Sequence, residues 1–262
     1  MTAEHVTAKW IGKLFPQQNP YTFNSIRRRD FTANNSLIRD VAEESRGSGD
    51  PISRRAKIVC AECNNGWMKD FQDGAKPILV PFFNGTLLSL NRPQQKVLAA
   101  WATMTAMVME YVRRPIIVPQ AERTRLRKDL TALPTWMIWM GRYGGGQWGH
   151  SFIHRNVAAQ RRSAPLSERG YVDKAIGDTQ ITTFIAGTAV FQALSTRGAA
   201  ILLSVAKHHR PDRSMVQLWP IERDDLILPT TLVDDACLDW LKANPVSLVS
   251  RLLPSANDLL LG

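Results

Sequence analysis

The sequence predicts an α+β fold, and three observations carry the prediction. Residues 97–108 are the longest apolar run, with no charged side chain, which marks a buried helix. After Pro134 the pattern changes to apolar–polar alternation interrupted by glycine turns, the signature of antiparallel strands. The hydrophobic fraction of 44% over 262 residues is ordinary for a globular chain and leaves room for one large domain or two small ones. The expected break lies near residues 80–93. It separates a first region (1–80) from an α+β domain (81–262) with a basic helix, a central buried helix and a mostly antiparallel sheet.

Residues 1–15 hold Glu4-His5, Trp10 and Leu14-Phe15. Residues 16–56 are polar, with Arg27-Arg28-Arg29, Asn34-Asn35 and a Gly-Ser-Gly-Asp-Pro turn at 47–51, and read as a long, partly irregular insert. A short helix is expected at 37–44 and a short strand at 57–59, entering Cys60. Trp67, Met68, Phe71 and Ala75 have helical spacing over 65–77, where Pro77 ends the helix or begins an extended piece. Pro93 suits the first position of the next helix, 94–111, which is apolar almost all round and so central to the fold. Residues 122–133 predict a second, basic helix. Strands are expected at 136–140, 149–153, 179–186, 188–193, 199–205 and 215–220, with Gly144-Gly145-Gly146 as a hairpin turn between the first two. A last helix at 234–243 turns Cys237, Leu238, Trp240 and Leu241 inward. The end, 246–261, is apolar but broken by Pro254. There is no internal repeat and no low-complexity tract.

The formal net charge is +10 and the isoelectric point about 9.9, which favours a polyanionic partner. The excess is concentrated in the middle. Residues 81–150 carry 9 basic and 3 acidic side chains, whereas residues 151–262 carry 12 and 11. Arg113-Arg114, Arg123, Arg125, Arg127 and Lys128 form the best duplex-binding run, since such side chains give salt-dependent affinity for phosphates. Helical spacing puts Arg123 and Arg127 on one face; a solvated helix face is the alternative. Three cysteines cannot build a disulfide framework. The first ten residues lack the apolar core of a secretory signal, and no stretch of 18 uncharged apolar residues exists. A cytoplasmic location with no membrane partner is the expectation; oligomeric state is not legible.

Two motifs carry chemistry. Glu4-His5 sets an acid beside an imidazole. Cys60-Ala-Glu-Cys63 is a tight turn able to aim two thiolates at one ion, and it runs into Asn64-Asn65. Glu4-His5-Val6-x-x-Lys9-Trp10, taken with Val59-Cys60-x-x-Cys63-Asn64-Asn65-Gly66-Trp67-Met68, resembles the HNH (ββα-metal) endonuclease-like family of bacterial and phage proteins over about residues 1–80. The resemblance implies a small ββα region and a metal-dependent endonuclease that hydrolyses phosphodiester bonds, with DNA the favoured nucleic acid. It implies His5 as general base and Glu4 and Asn64 as ligands of a divalent ion, Mg or Mn. Asn65 would orient His5 or contact phosphate, and Lys9, Arg54, Arg55 and Lys57 would line the phosphate path.

The sequence departs from the family pattern in several places. Thr7-Ala8 stand where a proline is usual, and no histidine follows Asn65 at helical spacing. The insert between the halves is long. The second cysteine pair of zinc-bearing members is absent ahead of Glu4, so either a pair lies upstream of this sequence, or Cys60 and Cys63 pack as small hydrophobes without zinc. These departures keep open an alternative, a catalytically inactive HNH scaffold that binds nucleic acid or protein, as a phage or defence-related factor.

The remaining candidates read as structural. His150 and His154, four apart on a strand, are roughly 13 Å apart, too far to share an ion. Trp136, Trp139 and Trp148 are expected in the core and hairpin rather than stacked on bases. His208-His209 precedes Arg210-Pro211-Asp212-Arg213 in a basic loop.

Overall fold

A computed structural model describes residues 2–5, 8–15, 21–31, 37–48, 55–111, 116–148, 151–161, 174–197 and 214–243. The expected strand at 199–205, the basic loop at 208–213 and the end at 246–261 lie outside these residues, as do Arg54, Arg113, Arg114 and His150.

The chain begins with β1 (Thr2–His5) and α1 (Lys9–Leu14), then β2 (Tyr21–Phe31), β3 (Leu37–Ser48) and β4 (Arg55–Val59). The expected irregular insert is therefore strand, and the short helix expected at 37–44 is part of β3. Partners remote in sequence explain the difference. β2 pairs antiparallel with β3 and parallel with β7 (Phe152–Arg161), so these polar segments extend the main sheet at its edge.

Two helices follow β4, the five-residue α2 (Ala61–Asn65) and the longer α3 (Trp67–Phe83), in place of one ending at Pro77. Gly66 separates them with a non-helical backbone (φ −98°, ψ −120°), and a Cβ there would stand 2.7 Å from the Glu62 carbonyl oxygen, so the break needs glycine. α3 continues through Pro77 and Pro81 and buries Ile78, Leu79 and Phe82 beyond the first proline. Each interior proline costs about 3 kcal/mol, about 6 kcal/mol for the pair. Five large buried side chains, Met68, Phe71, Ile78, Leu79 and Phe82, contribute about 1.5–3 kcal/mol each, so packing wins. α3 crosses the 80/81 boundary.

β5 (Ser89–Asn91) leads into α4 (Arg92–Glu110) through a capping box: Gln94 N–H donates to Asn91 Oδ1 at 3.0 Å, and Asn91 N–H to Gln94 Oε1 at 3.0 Å. α4 is buried nearly all round, as its composition predicts. Its polar Gln95 is satisfied by donating to the carbonyls of Leu90, Arg223 and Asp224. α5 (Gln120–Asp129) stops at Leu130, which has φ 51°, short of the expected 133.

The sheet contains β6 (Trp136–Tyr143), β7, β8 (Lys174–Ala186), β9 (Ala189–Thr196) and β10 (Met215–Trp219), in the order β10-β6-β9-β8-β7-β2-β3. β11 (Asp225–Ile227) pairs with β5, and β12 (Leu232–Val233) runs parallel to β6. α6 (Asp235–Ala243) closes the described chain.

Alternation divides each central strand between two cores. Trp136, Ile138 and Met140 of β6 and Phe191 of β9 join a core with Ile11, Leu79, Phe82, Leu98 and Trp101 from α1, α3 and α4. Met137 and Trp139 of β6, with Val190 and Leu194 of β9, face Leu238 and Leu241 of α6. Helices thus cover both faces, which is why every residue of β9 is buried. Within the first core Trp101 meets Phe191 edge-on at 5.3 Å, and Phe184 stacks on Phe191 at 5.2 Å. Trp136, Trp139 and Trp148 are buried as expected, whereas Trp240 of α6 is exposed and Cys237 half-buried.

Gly144-Gly145-Gly146 do not form a hairpin, because β6 and β7 are separated in the sheet by β9 and β8. The loop closes on Asp235 instead. The Asp235 carboxylate accepts from the Tyr143 hydroxyl, from Gly146 N–H at 3.0 Å and from Gln147 N–H at 3.2 Å, while Trp148 N–H donates to the Tyr143 oxygen at 2.8 Å. Among the described residues no helix is long and apolar enough to cross a membrane.

Candidate functional site

The two motif halves meet through strand pairing. β1 lies antiparallel to β4, with Thr2 opposite Val59, Ala3 opposite Lys57, Glu4 opposite Ala56 and His5 opposite Arg55, and a register shift between Thr2 and Ala3. Cα atoms of such partners stand about 5 Å apart. Lys57, Arg55, Glu4 and His5 therefore share one two-stranded ribbon. The side chains of Glu4, His5, Arg55 and Lys57 lie outside the described residues.

α2 and α3 leave β4 directly, completing a strand–strand–helix unit. Asn64 N–H donates to the Cys60 carbonyl at 3.0 Å, which closes the first turn. Asn64 is half-buried and Asn65 exposed, and both sit at the end of α2, not at the head of a helix. The Asn64 carboxamide makes no hydrogen bond among the described residues. Lys9 is exposed at the first position of α1. Gln72 on α3 fixes α1 and α4 together: its Oε1 accepts from Trp10 Nε1 at 3.2 Å and from Trp101 Nε1 at 2.9 Å. Gly187, with φ +62°, turns β8 into β9 with room for the Phe15 and Phe83 rings, where a Cβ would stand 2.6 Å from Phe15.

Cys60 is exposed and Cys63 half-buried, so Cys60 does not pack as a buried hydrophobe. Their sulfurs are 3.0 Å apart, and Cys63 N–H donates to Cys60 Sγ at 3.2 Å. The Cys63 thiol, and then its amide, hold the Cys60 thiol below its ordinary pKa, while the Glu62 carboxylate opposes them. Two thiolates on a tetrahedral zinc stand about 3.8 Å apart. Here they are closer, and no cluster of three His, Cys, Asp or Glu side chains exists among the described residues. The oxygen donors of Glu4 and Asn64 suit a hard divalent ion of the Mg or Mn type.

The basic helix is less free than its sequence suggests. Arg123 is not on a nucleic-acid surface. Its guanidinium is mostly buried, pairs with the fully buried Glu110 carboxylate, donates to the Met107 carbonyl at 3.1 Å and lies 4.5 Å from the Tyr111 ring centroid. Arg125 pairs with Asp129 at 3.1 Å, and Arg127 with Glu62 of α2 at 3.1 Å. Arg127 stays half-exposed and links α5 to the cysteine turn. Between them is a cavity of about 230 Å³, floored by Met104, Met107 and Val108 of α4 and edged by Cys60, Cys63 and Arg127.

Two features escaped the sequence reading. One is this cavity. The other is Glu110, which accepts from Ile117 N–H and from Val118 N–H at 2.9 Å and so ties the end of α4 to residues 117–118. The available signal was an acid ending an otherwise apolar helix. His154, on β7, is buried with Nδ1 2.8 Å from Thr182 Oγ1, in keeping with a structural histidine.

No protein-family model matches the chain, and neither a curated protein nor a solved structure matches it.

Proposed function

We propose that the chain is a metal-dependent endonuclease of HNH type that hydrolyses phosphodiester bonds in DNA in the cytoplasm. One observation carries the reading: β1, bearing Glu4 and His5, pairs with β4, the strand that enters the Cys60–Asn65 turn. Glu4 and Asn64 would hold a divalent ion, Mg or Mn, which would supply Lewis-acid stabilisation of the scissile phosphate and the leaving oxygen. The His5 imidazole takes the proton of the attacking water, a task for which histidine is the side chain suited to neutral pH. Asn65 orients His5 or contacts phosphate. Lys9, Arg54, Arg55, Lys57, Arg113, Arg114 and Arg127 supply phosphate contacts that position the duplex without reading its sequence.

Plasmid cleavage in magnesium or manganese tests the roles. His5→Ala is expected to slow cutting at least 100-fold, the low end for a general base, with Asn64→Ala also impaired. Equal rates for His5→Ala and the parent would remove His5 from the mechanism.

A second reading is a catalytically inactive scaffold that binds nucleic acid or protein. It is favoured by α2 and α3 carrying no histidine, and by the ion pairs that engage Arg123, Arg125 and Arg127. A salt-dependent gel shift with no cutting across several metals would select it.

A further inference from the structure

We propose that Cys60 and Cys63 form a solvent-reachable dithiol that closes reversibly to a disulfide by exchange with low-molecular-weight disulfides. This reading stands apart from the nuclease assignment. Two geometric facts carry it. The two sulfurs are already 3.0 Å apart, so closure to a bond of about 2.05 Å needs a shift of about 1 Å. Cys60 is exposed, so an external disulfide reaches it, while Cys63 is half-buried.

The asymmetry assigns the roles. The Cys60 sulfur, as thiolate, attacks one sulfur of an oxidised disulfide RSSR. It forms the mixed disulfide Cys60–S–SR and releases RS⁻, which takes up a proton. Cys63 then loses its proton to solvent, attacks Cys60 Sγ and expels the second RS⁻. Two protein thiols are oxidised and one RSSR is reduced to two RSH. Because the Cys60 sulfur also accepts the Cys63 amide, closure tightens the turn that leads into Asn64 and Asn65.

The test uses the full chain, equilibrated without oxygen in glutathione mixtures from fully reduced to fully oxidised. The samples are quenched, labelled with a maleimide and read by peptide mass spectrometry. Cys237, half-buried on α6, is the internal comparison. Cys60 and Cys63 are expected to lose label together, their oxidised-to-reduced ratio falling as the inverse square of the reduced glutathione concentration at fixed oxidised glutathione, under conditions in which Cys237 keeps its label. Cys63→Ser is expected to stop at a Cys60–glutathione adduct, which the parent does not accumulate. Both thiols staying reduced across the whole series would overturn the proposal. So would recovery of the parent with both sulfurs blocked by zinc until a chelator is added. The parent measurement decides the matter even where the serine variant folds poorly.

Discussion

Replacing Glu110 tests how the basic middle of the chain is held. Its carboxylate is fully buried at the end of α4, paired with Arg123 and accepting from the amides of Ile117 and Val118. Glu110→Ala would leave Arg123 largely buried without its counter-charge. Breaking one side of a buried pair costs about 3–5 kcal/mol. Each orphaned amide, of Ile117 and of Val118, adds about 1–3 kcal/mol unless water reaches it, which lowers that cost. The expected loss is therefore about 4 kcal/mol in urea unfolding followed by tryptophan fluorescence. Glu110→Gln, which keeps an acceptor, is expected to lose about half of that. Replacing both partners, Glu110→Leu with Arg123→Met, is expected to recover most of the stability, since a packed apolar pair needs no desolvation. Burial pushes the Glu110 carboxyl pKa up, against the Val118 amide, the Arg123 charge and the Ile117 amide. A raised folded-state pKa means that the folded chain holds the proton more tightly. The stabilisation is then full below about pH 4.3, the ordinary carboxyl value, and declines as pH rises through the raised value. The difference between the parent and Glu110→Gln is thus expected to narrow with rising pH. A Glu110→Ala variant within about 1 kcal/mol of the parent, well below the cost of a broken buried pair, would refute the reasoning, as would a gap to Glu110→Gln that widens with pH.

Two further perturbations probe the frame around the site. Asp235→Ala removes the acceptor on which the 143–148 loop closes and is expected to cost about 2 kcal/mol. Burial opposes ionisation of Asp235, but the Tyr143 hydroxyl and the loop amides outweigh it and hold the carboxyl below its ordinary pKa. Its contribution is therefore present above about pH 3.9 and lost as pH falls through the lower folded value; an acid-unfolding midpoint unchanged in the variant would count against it. Asn91→Ala breaks the capping box at the head of α4 and is expected to cost about 1 kcal/mol in urea unfolding, and a loss below 0.3 kcal/mol, outside the usual range for a cap, would show that tertiary packing alone holds the helix start.

Some of this architecture was legible in local pattern. The all-round apolar face of 94–111 announced α4, and alternation after Pro134 announced β6, β8 and β9. The first position suited to Pro93 was also close, since α4 starts at Arg92 behind its Asn91 cap. The rest depended on partners far along the chain. β2 and β3 are polar and charged, and nothing within them says that β7 waits beyond residue 150. The prolines of α3 are local helix breakers, overridden by the burial of Met68, Phe71, Ile78, Leu79 and Phe82. Arg123 and Arg127 share helical spacing, yet one faces buried Glu110 and the other exposed Glu62.

The candidate site divides the same way. Sequence alone determined its chemical inventory: an acid beside a histidine, a two-cysteine turn, two asparagines and a basic excess, all properties of residue types and short spacings. Tertiary structure alone decided that β1 lies against β4, that Cys60 meets solvent, and that α5 reaches the cysteine turn through Arg127 rather than Arg123. Spacing constrains neighbours within a turn or two of helix, or along one strand. Pairing, burial and charge compensation are set by whichever remote segment packs alongside, and this becomes definite only when the whole chain has folded.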